Sequence, residues 1–239
     1  MNANVKILRT KINNLSRVEI NDWVKNILEN FPEQKFVATL NPEIILKAYY
    51  NEEYHEILNS ADLNICDGFG IKLVSWLKGK KIKARYTGVD LMDYLLKLAK
   101  EKDLKILVVV SKNSLSNPQE IEQGIKSKYK MIAQAKYFKE NFLESDEIKK
   151  AEIIFVNFGA PQQEKFIFEN RAKFPKAKIL VGVGGAFDFL TGKIKRAPKW
   201  IRKIGFEWMW RLSQEPKRVK RVINAVIIFP CIFLINKKN

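Results

Sequence analysis

The chain has 239 residues, 46% of them hydrophobic, so it can bury one substantial core. Its two cysteines, Cys66 and Cys231, are too few and too far apart for a disulfide framework or a zinc site. The first 22 residues lack the continuous apolar block of a secretory signal. We therefore expect a cytoplasmic protein.

The formal net charge of +17 favours a polyanionic partner, which includes nucleic acid, anionic lipid and phosphorylated substrates. Residues 193–238 contain thirteen Lys or Arg and two acids, which places +11 of this charge in the last fifth of the chain.

Short runs rich in Val and Ile alternate with longer helical patterns, which is typical of βαβ units around a mostly parallel sheet. The sequence predicts the α/β fold class, with strands at 35–39, 62–66, 105–110, 131–134, 152–158 and 178–183. Several strands carry consecutive apolar residues, as expected when helices cover both faces. The predicted helices are 42–58, 69–77, 90–101, 118–128 and 161–173.

After Gly192 the composition changes to a basic, Trp-rich stretch at 196–221, which predicts one or two amphipathic helices. We divide the chain into a core, residues 1–195, and a C-terminal basic appendage, residues 196–239. Residues 222–235 are almost entirely apolar but shorter than the roughly 20 residues of a spanning helix. We expect them to lie at the surface of an anionic membrane, and docking on the core is the alternative.

Ligands of open α/β sheets bind beyond the carboxyl ends of the strands. Thr39 and Asn41 follow the first predicted strand and are candidates for ligand binding or for capping the next helix. Asp67 follows the second, and Gly68 and Gly70 after it allow another molecule to approach the backbone. Taken alone, Asp67 would by default be interpreted as a capping or turn residue.

Two glycine turns follow later strands. The turn at Gly159 leads into a helix whose N-terminus suits a phosphate or a sugar oxygen, with Gln163 as a further donor. We interpret Glu164 as a first-turn acid that interacts with the helix dipole.

The second turn contains Gly182, Gly184 and Gly185, which imply close approach by a ligand or tight helix packing. It is not a G-x-G-x-x-G dinucleotide fingerprint, since the expected later acid falls at Glu207, in the basic stretch. Asp188 is a candidate for binding a base or ribose, although helix capping is equally available to it.

The single histidine, His55, lies in a polar stretch and is expected to be exposed, which argues against a His-based metal site or nucleophilic triad. There is also no Asp-x-Asp pair for a divalent ion. The negative charge of a leaving diphosphate would then be stabilised by Arg and Lys side chains and by backbone dipoles.

Seven segments carry a resemblance to a known family. They are Thr39-x-Asn41, Ala61-Asp62-Leu63 through Asp67-Gly68-x-Gly70, Arg85-x-Thr87-Gly88-x-Asp90-Leu91, Gly159-x-Pro161-x-Gln163-Glu164, Gly182 to Asp188, Arg196-Ala197-Pro198-x-Trp200, and Glu207-Trp208 through Arg211-Leu212 to Glu215-Pro216-x-Arg218. Their types and order resemble the WecG/TagA/CpsF family of bacterial glycosyltransferases. Cys66 and Val222 depart from the family pattern.

The resemblance implies a Rossmann-like core and an inverting transferase that needs neither metal nor other cofactor. The implied substrates are a UDP-sugar, notably UDP-N-acetylmannosamine, and a polyprenyl-diphosphate-linked N-acetylglucosamine acceptor. The products are linkage units of wall teichoic acid or surface polysaccharide. The resemblance further implies a peripheral protein that lies at the inner face of the bacterial plasma membrane, on its anionic surface. No nucleic-acid partner is expected, and association into a homo-oligomer is left open.

The resemblance also suggests roles for individual residues. Asp67 matches the base that takes the proton from the attacking hydroxyl. Other residues are expected to bind substrate: Thr39, Asn41 and Gln163 at the sugars, Arg85 near a phosphate, Gly184 and Gly185 in the glycine turn, and Asp188 at the uridine. Arg211, Arg218 and Arg221 are spaced to share one helical face that clamps the diphosphate.

Two other functions are compatible with parts of the sequence. The basic, aromatic tail is compatible with nucleic-acid binding, but the apolar segment after Val222 argues against it. The glycine turns are compatible with a nicotinamide-dependent oxidoreductase, whose fingerprint is incomplete here.

Overall fold

The computed structural model describes residues 4–30, 33–138 and 145–236, without the side chains of residues 146 and 147. A two-stranded hairpin precedes a six-stranded sheet in which every neighbouring pair is parallel. The strands are β1 (Val5–Ile7), β2 (Thr10–Ile12), β3 (Lys35–Leu40), β4 (Leu63–Cys66), β5 (Ile106–Val110), β6 (Gln134–Tyr137), β7 (Ile153–Asn157) and β8 (Ile179–Gly182). The large sheet has the order β4-β3-β8-β7-β5-β6, which confirms the predicted α/β class.

Helices cover both faces of this sheet. They are α1 (Arg17–Asn30), α2 (Pro42–Tyr50), α3 (Glu52–Asn59), α4 (Phe69–Leu77), α5 (Gly88–Glu101), α6 (Pro118–Tyr129), α7 (Asp146–Lys149), α8 (Gln162–Asn170), α9 (Phe187–Leu190), α10 (Lys199–Lys203), α11 (Glu207–Gln214), α12 (Val219–Ile223) and α13 (Phe229–Ile235). Strand β3 shows the layering, since Phe36, Ala38 and Leu40 enter one buried cluster and Val37 enters the other. Burial from both sides explains the consecutive apolar residues of the strands.

Three predicted elements have different bounds. The helix predicted at 42–58 is two helices, because Asn51 ends α2 and its side chain accepts the N–H of Tyr54 at 2.8 Å to cap α3. The strand predicted at 131–134 begins only at Gln134, because α6 closes on Lys130 in the left-handed region and the following residues form the connection. The helix predicted at 161–173 ends at Asn170 and continues as one 3₁₀ turn.

The hairpin and α1 were not predicted. The hairpin strands have three residues each, and their turn places Leu8 and Arg9 at φ of 46° and 71°. These residue types give none of the Gly, Asn or Asp signals by which such a turn is found in a sequence.

The C-terminal segment docks on the core with one side, which was the alternative prediction, and exposes apolar residues on the other. On one side, Phe229 and Phe233 are fully buried, and α13 packs against α2 and α4. On the other side, large apolar residues are exposed, including Ile227 at 55%, Leu234 at 51% and Ile235 at 78%. No helix in the described ranges is long and apolar enough to cross a membrane.

Replacing Phe233 by Ala should lower the free energy of unfolding by about 3 kcal/mol, because it leaves a cavity where α13 meets the core. The neighbouring Leu234→Ala is the control and should change it by less than about 0.5 kcal/mol. Urea denaturation followed by Trp fluorescence measures both. Equal effects of the two substitutions would contradict the docking of α13.

Candidate active site

The sheet order places the carboxyl ends of β4, β3 and β8 side by side. Residues at or just beyond the ends of these strands meet around Gly88, at the N-terminus of α5. A Cβ atom at Gly88 would lie 3.4 Å from Thr39 Oγ1, 3.6 Å from the Val183 carbonyl oxygen and 3.7 Å from Asp67 Oδ2. Three loops that are distant in sequence therefore converge on the carboxylate of Asp67.

Asp67 lies at the end of β4, and its Oδ2 accepts the N–H of Gly88 at 3.0 Å. Burial raises the pKa of Asp67 to about 6, against the lowering effects of Arg85 and of the Gly88 N–H. The carboxylates of Glu207 and Asp90 add to the rise. A carboxyl group with this pKa changes its protonation close to neutral pH, which is typical of acid–base catalysts.

Arg85 holds the loop that carries Asp67. Its Nε donates to the Asp67 carbonyl oxygen at 2.7 Å, its Nη1 to the Arg202 carbonyl at 3.2 Å, and its Nη2 to Glu207 Oε2 at 2.6 Å. The guanidinium thus has protein partners on three sides. To bind a phosphate, as predicted, Arg85 would have to exchange one of these hydrogen bonds for a bond to the ligand.

Glu207 connects Arg85, in the core, to Arg196, in the appendage. Its Oε1 lies 3.5 Å from Arg196 Nε, and Arg196 Nη2 donates to Asp90 Oδ1 at 2.6 Å. Asp90 also pairs with Arg17 at 3.1 Å. This network could not be predicted from the sequence, because its pairs form between segments separated by up to 122 residues.

Thr39, Asn41 and Gln163 all bond to protein atoms near Asp67. The buried Thr39 hydroxyl donates to the Gly182 carbonyl at 2.9 Å, and Asn41 Oδ1 accepts the N–H of Ile44 at 3.0 Å. Asn41 is therefore the N-cap of α2, which was the alternative to ligand binding for this residue. Gln163 Oε1 accepts the N–H of Gly184 at 2.9 Å, so it holds the glycine turn after β8.

Glu164 is more than a first-turn acid on the surface, because its side chain is fully buried. Its Oε2 accepts the Tyr54 hydroxyl at 2.8 Å and its Oε1 accepts Nε2 of Gln163 at 2.6 Å. Burial raises the pKa of Glu164 to about 7, although both hydrogen bonds favour the charged form. Glu164 thus supports Gln163 and, through it, the turn at Gly184.

The glycine turn allows two side chains to approach the backbone closely. Gly184 has a φ of +52°, and a Cβ atom at Gly185 would lie 2.5 Å from Asp188 Oδ2 and 2.8 Å from Arg211 Nη2. Asp188 is buried, its Oδ1 accepts the Ser116 hydroxyl at 2.8 Å, and burial raises its pKa. The structure therefore brings Gly185, Asp188 and Arg211 together.

The prediction that Arg211, Arg218 and Arg221 share one helical face is wrong. Helix α11 ends at Gln214, and Pro216 opens a 3₁₀ turn before α12, so the three arginines lie on three short segments.

These arginines nevertheless form one cluster. Arg211 and Arg218 lie 2.7 and 3.6 Å from Glu215, and Arg221 lies 2.6 Å from Glu43 in the first turn of α2. Burial, together with the charges of Arg211 and Arg221, lowers the pKa of Arg218 to about 10. The cluster carries more positive charge than its two carboxylates neutralise, which suits a polyanionic ligand.

One further polar residue lies at the end of β7. Asn157 is 2% exposed, its Nδ2 donates to the Ser114 hydroxyl at 2.8 Å, and its Oδ1 has no hydrogen-bond partner among the described residues. An open acceptor in a buried position is a candidate ligand contact. Its position near the end of a predicted strand is the feature of the sequence that could have identified Asn157 as a site residue.

The expectation that His55 is exposed is wrong, since its side chain is only 12% exposed and bonds to Asn59. Within residues 4–30, 33–138 and 145–236, no group of three or more His, Cys, Asp or Glu side chains could hold a metal ion.

Comparisons with known proteins agree with the resemblance seen in the sequence. The model of the glycosyl transferase WecG/TagA/CpsF family matches residues 5–239. An N-acetylglucosaminyldiphosphoundecaprenol N-acetyl-beta-D-mannosaminyltransferase of Bacillus subtilis (strain 168) is 32% identical over 89% of this chain and 86% of its own. The proteins of that name from Bacillus spizizenii and Staphylococcus aureus (strain MRSA252) are 34% and 29% identical, over 91% and 95% of this chain and 88% and 91% of their own lengths.

Glu164→Gln should reduce the pH dependence of stability. The pKa of Glu164 rises from 4.5 to about 7 on folding, so its contribution is fully present below pH 4.5 and is lost as the pH rises through 7. The variant cannot ionise at this position, so between pH 4.5 and a pH above 7 its free energy of unfolding should rise by about 3 kcal/mol relative to that of the wild type. Denaturation at several pH values measures this, with the exposed Glu169→Gln on the same helix as control. Parallel curves for Glu164→Gln and wild type would contradict the assignment.

Proposed function

Because the chain belongs to the glycosyl transferase WecG/TagA/CpsF family, we propose that it transfers N-acetylmannosamine from a UDP-linked donor to N-acetylglucosaminyl-diphosphoundecaprenol. The observation that carries the proposal is the Asp67 carboxyl group, with a pKa of about 6, at the convergence of three strand-end loops. The chain is a glycosyltransferase, and this argues against the nucleic-acid-binding and oxidoreductase alternatives.

In the proposed reaction the acceptor hydroxyl oxygen attacks the anomeric carbon of the donor sugar. The bond from this carbon to the diphosphate oxygen breaks, and the hydroxyl proton passes to the Asp67 carboxylate. A single displacement of this kind inverts the anomeric configuration. Asp67 is suited to the step, because the N–H of Gly88 and the hold of Arg85 on its carbonyl fix its position.

The departing UDP carries negative charge that the protein must stabilise. In our proposal Arg211, Arg218 and Arg221 bind the diphosphate, and the glycine turn contributes the backbone N–H of Gly185. The approach of Arg211 Nη2 to Gly185 supports a site shared by the two. Positive side chains would then take the part that a divalent ion plays in other transferases.

The nucleoside would lie further along the same sheet edge, beyond β7 and β8. Asn157 offers the open acceptor Oδ1, which suits an N–H donor such as the imide of uracil. Asp188 has its Oδ2 directed toward Gly185 and could accept from a ribose hydroxyl. These two acceptors support a uridine nucleotide as the donor.

The proposed acceptor has a lipid tail, so the enzyme must act at a membrane surface. The exposed apolar side of residues 219–235, next to Lys217 and Lys220, suits shallow insertion among anionic lipids. We place the protein at the cytoplasmic face of the membrane, bound peripherally by this segment.

Asp67→Asn should lower turnover by roughly 10² to 10⁴, because the amide cannot accept the hydroxyl proton. A screen of UDP-sugars with a short-chain lipid-diphosphate N-acetylglucosamine acceptor, read by mass spectrometry, tests both donor and residue. Asp22→Asn, an exposed acid in α1, is the control and should retain wild-type turnover. Unchanged turnover of Asp67→Asn at an unchanged melting temperature would exclude this residue as the base.

The pH profile should report the pKa of Asp67. As a base it must be ionised, so kcat/KM should rise with pH and level off above about 6. Arg85, Glu207 and Asp90 are the charged groups around Asp67, and Glu207 raises its pKa. In Glu207→Gln the acid limb should therefore move to lower pH, whereas the exposed Glu56→Gln should leave it in place. A limb that stays in place or moves to higher pH in Glu207→Gln would contradict this assignment.

A further inference from the structure

The net charge of the protein comes from two segments. Residues 68–89 contain six Lys or Arg and no acid, and residues 193–238 contain thirteen and two acids. The rest of the chain has 24 basic and 24 acidic residues and is neutral. The first segment belongs to the core and comprises α4 and the loop that leads to α5.

Helix α4 also exposes a continuous apolar face. Phe69, Leu73, Trp76 and Leu77 are 37%, 45%, 67% and 54% exposed, and their spacing places them on one side of the helix. The opposite side is a normal core contact, since Ile71 and Val74 are 0% and 1% exposed. A helix face with four exposed large apolar residues commonly binds a partner or a lipid.

The two basic segments are adjacent in the fold. A Cβ atom at Gly205 would lie 2.4 Å from the ring of Phe69, so the appendage touches the start of α4. At the other end of α4, Lys78 Nζ lies 5.4 Å from the centre of the Phe233 ring and donates to the Asn236 carbonyl at 3.5 Å. Both ends of α4 therefore contact the C-terminal segment.

We propose that the α4 face, formed by Phe69, Leu73, Trp76 and Leu77, is a second membrane-docking surface, which inserts into the interface of an anionic bilayer next to the appendage. This deepens the proposed function and rests on it. Asp67 lies two residues before α4, so docking of this helix holds the base at the lipid surface from which the acceptor is presented.

The charges around α4 favour lipid over a second copy of this chain as the occupant. Lys72, Lys78, Lys80 and Lys81 border the face, and no acid lies between residues 68 and 89. If two copies paired through this face, their lysines would oppose one another, and like charges at an interface are unfavourable. Anionic headgroups complement the same lysines, while the acyl region accepts the apolar side chains.

The test uses the full chain and two sets of triple substitutions. Leu73→Gln, Trp76→Gln and Leu77→Gln together remove apolar surface without touching the residues assigned to catalysis. The matched control combines Val18→Gln, Ile132→Gln and Phe168→Gln, which are also exposed apolar residues, at 68%, 85% and 44%. Both proteins are sedimented with vesicles of phosphatidylcholine alone and of phosphatidylcholine with phosphatidylglycerol.

We expect the α4 variant to partition at least about tenfold more weakly onto the anionic vesicles, and the control to bind like wild type. Activity on the water-soluble short-chain acceptor should stay near that of wild type, whereas activity on vesicle-embedded acceptor should fall. Replacing Lys72, Lys80 and Lys81 by Gln should weaken binding to the anionic vesicles only.

Unchanged partitioning of the α4 variant would overturn the proposal. So would a wild-type dimer in lipid-free solution that the α4 substitutions convert to a monomer while vesicle binding persists, because the face would then belong to a second copy. Failure of the proposed function is seen separately, as absence of sugar transfer by the wild type in the donor screen. The vesicle measurement does not depend on that result.

Discussion

The ion pair between Arg85 and Glu207 is the contact on which the arrangement of the site depends. Arg85 fixes the loop of Asp67 through its carbonyl oxygen, and Glu207 holds Arg85 from α11 at 2.6 Å. The two side chains are only 19% and 15% exposed, so loss of either partner would leave a poorly solvated charge. The appendage, although separate in composition, is therefore part of the structure that positions the candidate base.

The same pair affects the strength of that base. An unpaired Arg85 would stabilise the ionised form of Asp67 and lower its pKa, whereas Glu207 opposes this effect. Burial is the main cause of the raised pKa of Asp67, and the docking of α11, which brings Glu207 to Arg85, adds to it. A stronger base takes the proton of an acceptor hydroxyl more readily, provided that it is ionised at the working pH. The position of the appendage and the chemistry of Asp67 are linked in this way.

The sheet could be predicted from the sequence because β3, β5, β7 and β8 each contain three or more consecutive apolar residues, and the position of Asp67 followed from the end of β4. Elements that depend on single contacts could not be predicted. The break between α2 and α3 depends on the cap by Asn51, and the first hairpin turns through Leu8 and Arg9 without a turn signal. The partners of Arg85 and Gln163 likewise depend on the fold, because residues of these types are equally suited to bind phosphate or sugar.

The C-terminal appendage has two sides with different surroundings. Arg211, Arg218 and Arg221 face the glycine turn and α2, where Glu215 and Glu43 neutralise only part of their charge. Burial and, after it, the charges of Arg211 and Arg221 lower the pKa of Arg218, and the proposed diphosphate would offset this repulsion between the arginines. The appendage also exposes large apolar residues, including Ile227, Leu234 and Ile235, and its last helix, α13, packs against α4. One short segment therefore carries both the arginines proposed to bind the donor diphosphate and the exposed apolar residues proposed to contact lipid, so both proposed roles depend on the same docking of the appendage.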